Sequence, residues 1–408
     1  MNPVRGAACL AAVCVLLPVP AQAAAWVADP SLELTSGAND NYGLAFDRRN
    51  RVGWASMTGG LVASRETENS ATRLDASLVG LLLRGDLHQN EWQDSLALSH
   101  TLTGPVDTFA FDAKTARDET LQAPATSADL LIGRGLQVNA SGDASWDRQL
   151  TERLSASTTL AIVRTRYSAS LAGAHDYQNG SGSMSLRYLL DERGGVTASI
   201  AHQDYRTLDD QVRSMTDSLT VGGSRALSET ANAAVTIGAY RSRSGVRQAV
   251  LACPGNAPAC AGVAPIVVEQ VGHVVRWGVQ YNASFDDQFS ELTRFSAAVS
   301  RQQDPSGAGV TVLGDTLRAG IDHAYSETLK ASLSYTRSSS RYQGIAGGQE
   351  SRLQTLGALV NKSLSPQLTL RASADYKRST LAFDGLRAHS LGFSVTLRYE
   401  WQRVEAHH

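Results

Sequence analysis

No stretch of the 408-residue chain holds eighteen consecutive apolar residues, so a transmembrane helix is excluded. Charge of either sign is also not in surplus. The formal net charge is −2, which removes the basic excess expected of a nucleic-acid binder. The 11 prolines are scattered, and no linker-like run divides the chain. Cysteine is scarce, with 4 in all. Cys9 and Cys14 lie in the first segment, and neither has the small-residue context of a lipoprotein site. Cys253 and Cys260 lie in "LACPGNAPACAG", with no histidine or further cysteine close by. A metal site would need more ligands, so the pair is expected to close a small disulfide loop.

Catalytic signatures are missing too. The histidines are spread over separate segments, and no GxSxG elbow, HExxH helix or phosphate-cradling glycine loop occurs. No catalytic residue, metal ligand or cofactor is expected.

What is present begins with "MNPVRGAACLAAVCVLLPVPAQA". Arg5 precedes a short apolar run at 7–17, and Ala21-Gln22-Ala23 follows as an A-x-A cleavage site. Residues 1–23 therefore read as a secretory signal peptide.

From about residue 136 one rhythm repeats to the end. Long segments alternate apolar and polar residues, and short polar turns such as Thr151-Glu152, "DERGG" at 191–195 and "SPQ" at 365–367 join them in pairs. Longer polar connections fall near 168–176, 204–213, 241–268, 302–310, 339–349 and 378–388. The same phase places early strands near 31–42, 52–65, 71–83, 92–103 and 107–118. The predicted fold is all-β: an antiparallel up-and-down barrel over residues 24–401 with about eighteen strands, sixteen being the alternative count. Short turns at one end and longer loops at the other assign the turns to the periplasm and the loops to the exterior. The chain then starts and finishes on the short-turn side. A soluble sandwich fits less well, because many segments run to 12–15 residues and the apolar phase is rich in Ala rather than in large core formers. The expected location is the outer membrane of a Gram-negative bacterium, with outer-membrane lipid as the first partner. Residues 112–134 and 241–268 are the candidates for a plug or constriction.

Aromatic residues are expected in two lipid-facing girdles. Trp146, Tyr188, Phe285, Phe289, Tyr325 and Trp401 lie near short turns, and Tyr167, Tyr205, Tyr240 and Tyr342 near long loops. Arginine near the midplane would cost about 2–4 kcal/mol on the lipid side. Arg187, Arg276, Arg318, Arg371 and Arg398 are therefore expected to face inward as pore-lining residues. Two readings of them stand. They are fixed positive charges along a solute path, or they pair with luminal acids such as Asp375 and Glu400 and stiffen the wall.

The last strand carries Phe393, Val395, Leu397, Tyr399 and Trp401 on one phase. It resembles the C-terminal strand read by the outer-membrane assembly machinery, which makes that machinery an expected partner. Residues 402–408 are expected to be a disordered periplasmic tail.

Two stretches go further. "PSLELTSGANDNYGLA" (30–45), with Asn39-Asp40-Asn41, and "SGDASWDRQLTERLSASTTLAIVRTRYS" (141–168), with Trp146, Leu150-Thr151-Glu152-Arg153 and Arg166-Tyr167, resemble an outer-membrane barrel family found with exosortase and exopolysaccharide gene clusters. The resemblance implies a part in exopolysaccharide export or assembly, with polysaccharide and periplasmic export components as partners. A general or anion-leaning diffusion porin and a closed-barrel surface adhesin remain the alternatives.

Overall fold

The structure, a computed structural model, describes residues 25–46, 49–119, 135–168, 174–252, 266–306, 311–342, 350–381, 386–401 and 404–406. Alternating side chains make strands, and this chain is nearly all strand. The first six are β1 (Trp26–Asn39), β2 (Val52–Glu66), β3 (Ser70–Gly85), β4 (Gln89–Thr103), β5 (Asp107–Glu119) and β6 (Leu136–Gln149). Then follow β7 (Leu154–Tyr167), β8 (Tyr177–Asp191), β9 (Gly194–Thr207), β10 (Val212–Ala226), β11 (Ala231–Ala252) and β12 (Ile266–Ser290). The last are β13 (Thr293–Pro305), β14 (Thr311–Ser326), β15 (Leu329–Tyr342), β16 (Glu350–Ser363), β17 (Leu368–Leu381) and β18 (Leu386–Glu400), with a short β19 (Val404–Ala406).

Each strand pairs antiparallel with the next, and β1 also pairs with β18, so that Ser31 lies opposite Glu400 and Asn39 opposite Gly392. The sheet is a closed barrel of 18 strands, with β19 as an added short piece. Closure matters because an open edge would leave backbone groups unpaired in lipid. The expected strand count and the early strand positions hold.

Both strand ends are sharply different. One end carries the brief turns 67–69, 104–106, 150–153, 192–193, 227–230, 291–292, 327–328 and 364–367. The chain enters and leaves at that end. The other end carries most of the longer connections, including 40–51 and 168–176. Two of the expected loops shrink. The segment 204–213 is strand except at 208–211, and the described part of 241–268 is paired strand, in which Val246 still pairs with Gly272 and Ala252 with Ile266. Cross-strand pairing continues there past the apolar band, which a polar composition alone does not reveal.

The expected tail also differs. Val404–Ala406 pair with Trp26–Ala28 of β1 instead of lying free. The reason is a vacant edge: β18 pairs with β1 only from Ser31 onward, and these residues continue the ladder. The expected signal peptide, residues 1–23, and the expected Cys253–Cys260 disulfide lie outside the described residues.

Candidate functional site: the lumen and its loop-end constriction

Side-chain direction follows from the period of two. Leu160, Ile162, Ile200, Leu219, Ile237, Val279, Phe393 and Val395 stand exposed on the outer face, where a soluble protein would not place them together. Trp146, Tyr188, Phe289, Tyr325 and Trp401 share that face at the turn end. Phe109 stacks on Trp146 at 6.3 Å, and Tyr399 meets Trp401 edge-on at 5.1 Å. The expected aromatic girdle is present here.

At the loop end it is not where it was expected. Tyr205 and Tyr240 are buried, and both fall on the inward phase. Tyr205 shares that phase with Ser199, and Tyr240 with Thr236, so the direction was legible from the alternation. The lipid-facing aromatics at this end are instead Trp92, Tyr376 and Trp277, the last 72% exposed with Arg241 5.3 Å from its ring centre.

The inner face is hydroxyl-rich. Ser77 bonds Ser95, Ser157 bonds Ser185, Ser199 bonds Thr220, Ser373 bonds Ser394 and Thr35 bonds Thr396, each across neighbouring strands at 2.5–3.0 Å. Charged groups sit between them in two groups. On β3 to β6 the inward acids include Asp75, Glu91, Asp112 and Asp143, and the last two lie directly opposite each other in the ladder. On β12, β14, β17 and β18 the inward bases include Arg276, Arg318, Arg371, Lys377 and Arg398.

The sequence-derived arginines thus fall on the inward phase of their strands, together with Arg187 on β8. Their surroundings divide the two readings. Arg398 lies 2.9 Å from Glu400. Arg371 donates to Asn361 at 3.0 Å. Asp375 faces Lys377 at 3.6 Å rather than an arginine. Arg187 and Arg318 have no acidic partner among the described residues. Wall-stiffening pairs and open charges therefore coexist.

The lumen narrows at the loop end by a route the sequence reading missed. Pairing of β12 with β13 reaches only to Tyr281 and Arg301. Beyond it, β13 and β14 stay paired with each other up to Pro305 and Thr311 and leave β12. Their tip bends inward. Gln303 donates to Ser242 on β11 and to Thr311, and Thr216 on β10 donates to the Gln303 amide oxygen, at 3.0–3.3 Å. Tyr205 on β9 donates to the Ser306 carbonyl at 2.8 Å. All three receiving strands offer their luminal face, so the hairpin tip spans inside the wall. Gly278 makes room beneath: a Cβ there would sit 2.4 Å from the Tyr240 ring.

A second inward cluster lies across the bore. Val52, Leu81 and Leu83 are buried with Tyr42, Trp54 and Leu87 packed on them. The Trp54 ring lies over Gly37, where a Cβ would come within 2.7 Å. Asn41 pins the 41–50 loop above this cluster. Its amide donates to the Ala45 and His389 carbonyls and its oxygen accepts from the Ala45 amide, at 2.9–3.2 Å. Asn39 accepts from Ser390 at 2.8 Å, and Asp40 accepts from the Leu391 amide at 2.6 Å. Asn39-Asp40-Asn41 is thus a clasp between the first loop and the last strand. Thr151 plays a similar local part, accepting from the Leu154 amide at 3.1 Å to hold the 150–153 turn.

A closed even-stranded barrel, apolar outside and polar within, is an integral outer-membrane β-barrel of porin-like form. Its location is the Gram-negative outer membrane. No family model and no curated protein matches the chain. Among solved structures, OccAB3 of Acinetobacter baumannii is similar at 9% identity and a TM-score of 0.48, over 93% of this chain and 99% of that one. OpdK of Pseudomonas aeruginosa, solved with vanillate, is similar at 10% identity and a TM-score of 0.46, over 92% and 99%. The ferric-catecholate import receptor Fiu of E. coli gives 9% and 0.47, over 91% and 82%.

Proposed function

We propose that the barrel is a channel for hydrophilic solutes, narrowed at its outer mouth by the inward β13–β14 tip. The observation that carries this reading is the polar inner face, where hydroxyl pairs alternate with charges of both signs. A sealed scaffold would gain nothing from unpaired luminal arginines such as Arg187 and Arg318, whereas a water-filled bore solvates them at little cost. The acids on β3–β6 mean that the fixed charge is not uniformly positive, so strong anion preference is not expected.

The test is a planar-bilayer recording with salt gradients, alongside liposome swelling in neutral sugars. Stable conductance steps with weak ion selectivity and sugar uptake are expected. Absence of any conductance, with the β13–β14 tip shortened as well, would overturn the channel.

A second reading is passage of exopolysaccharide. The row of luminal hydroxyls across β7 to β10, Ser157, Ser185, Ser199 and Thr220, favours it, since it matches the donors and acceptors of a sugar chain. The family resemblance supports it less than its motifs suggest, because Asn39-Asp40-Asn41 and Thr151 have structural work to do in any barrel of this shape. Deleting the gene separates the two: unchanged secreted polysaccharide leaves the diffusion channel alone.

A further inference from the structure

Rows of the sheet can be followed across β15 to β18 on the outer face. One row reads Tyr335, Leu356, Tyr376, Leu391. The next row toward the loops reads Arg337, Gln354, Arg378, His389, and the one after it Ser339, Arg352, Thr380, Arg387. Apolar and aromatic residues thus give way within one row to a patch carrying four arginines. Arg337, Arg352, Gln354, Arg378, Thr380 and Arg387 surround a shallow cavity of about 210 Å³.

Several arginines at this height elsewhere on the outer face have acidic partners. Arg213 lies 2.8 Å from Asp204, Arg243 3.7 Å from Asp217 and Arg301 2.6 Å from Asp315. In the β15–β18 patch only Arg352 has such a partner, Glu350 at 2.8 Å. Arg337, Arg378 and Arg387 have no acidic partner among the described residues; Asp384 lies outside them.

We propose that this patch binds the phosphorylated headgroup of an outer-leaflet glycolipid whose acyl chains lie along the apolar rows beneath. The position fits that occupant and not a soluble one. The charges begin where the lipid-facing band ends, on the outer face of the wall and so at the height of lipid headgroups. Guanidinium groups suit phosphate because their planar donors engage two oxygens at once. Acyl chains below and phosphate above would meet Tyr376 and Leu356 on one side and Arg378 and Arg337 on the other.

The test is native mass spectrometry of the full barrel, delipidated in detergent. Ligands are bisphosphorylated lipid A, its monophosphorylated and phosphate-free forms, phosphatidylglycerol and inorganic phosphate. The expected order is bisphosphorylated, then monophosphorylated, then phosphate-free lipid A. The triple variant Arg337→Gln, Arg378→Gln, Arg387→Gln should weaken the first by on the order of a hundredfold, while Arg213→Gln leaves it unchanged. Heat-modifiable migration on gels reports whether each variant is folded; if the triple variant is not, the wild-type series decides alone. Equal binding of the phosphate-free form, of phosphatidylglycerol or of inorganic phosphate would overturn the proposal. So would equal binding by a folded triple variant.

Discussion

Asn41 joins more of this molecule than any neighbour on its loop. It is 1% exposed and holds both the 41–50 loop and the backbone of β18 through its amide. Asn41→Ala leaves those backbone groups unsatisfied, and a loss of about 2–3 kcal/mol is expected. Urea unfolding of the detergent-solubilised barrel measures it, with faster amide exchange across 41–50 as the local sign. Asp209, in the 208–211 turn, responds to acid. Burial pushes its carboxyl up, but hydrogen bonds from Thr207, the Gln211 amide and His175 together outweigh this and leave it below the ordinary aspartate range. A depressed carboxyl stabilises the fold above its unfolded value and loses that contribution as pH falls through the folded one. The 3.1 Å contact between His175 and Asp209 should therefore hold the 174–176 segment and the 208–211 turn together at neutral pH and release them in acid, as the pH falls through the depressed range of the Asp209 carboxyl. Exchange in both loops should rise there, and Asp209→Asn should show the same rise already at pH 7.

Among the elements, the β13–β14 hairpin is the one whose position its sequence does not announce. Strand boundaries were legible because lipid outside and water inside impose a strict two-residue period, so β2, β7 and β17 appear almost as expected. Inward arginines were legible for the same reason. The constriction was not, since Gln303 and Ser306 look like any polar loop residues and their partners on the wall lie two to four strands away in the ring. Double substitution of Tyr205→Phe and Gln303→Ala removes bonds worth about 1 kcal/mol each, shifting the tip toward release by about fivefold per bond. Larger or noisier conductance steps in a planar bilayer are the expected outcome. At the other end of the chain, Trp401→Asp places a charge in the turn-side girdle and should impair assembly, read as loss of the heat-modifiable form. Truncation after Trp401 removes only the Val404–Ala406 pairing and should still yield a folded barrel with a slightly lower melting temperature.

For the whole molecule, the ladder contains a quantity that no single pair displays. Following the register from Leu34 through Met57, Gly80 and Trp92 and on round the ring to β18 returns to β1 displaced by about 22 residues. With ~3.3 Å per residue and ~4.8 Å between strands, that displacement tilts the strands by ~40° and sets the backbones ~35 Å apart across the axis. A cylinder of that width is not a sieve. Among the described residues, what hangs into it is the Gln303–Ser306 tip on one side and the Tyr42–Trp54 cluster on the other. Wall and aperture are therefore separate inheritances. Substitutions in two short segments can retune which molecules pass while the staves of the cask stay as they are.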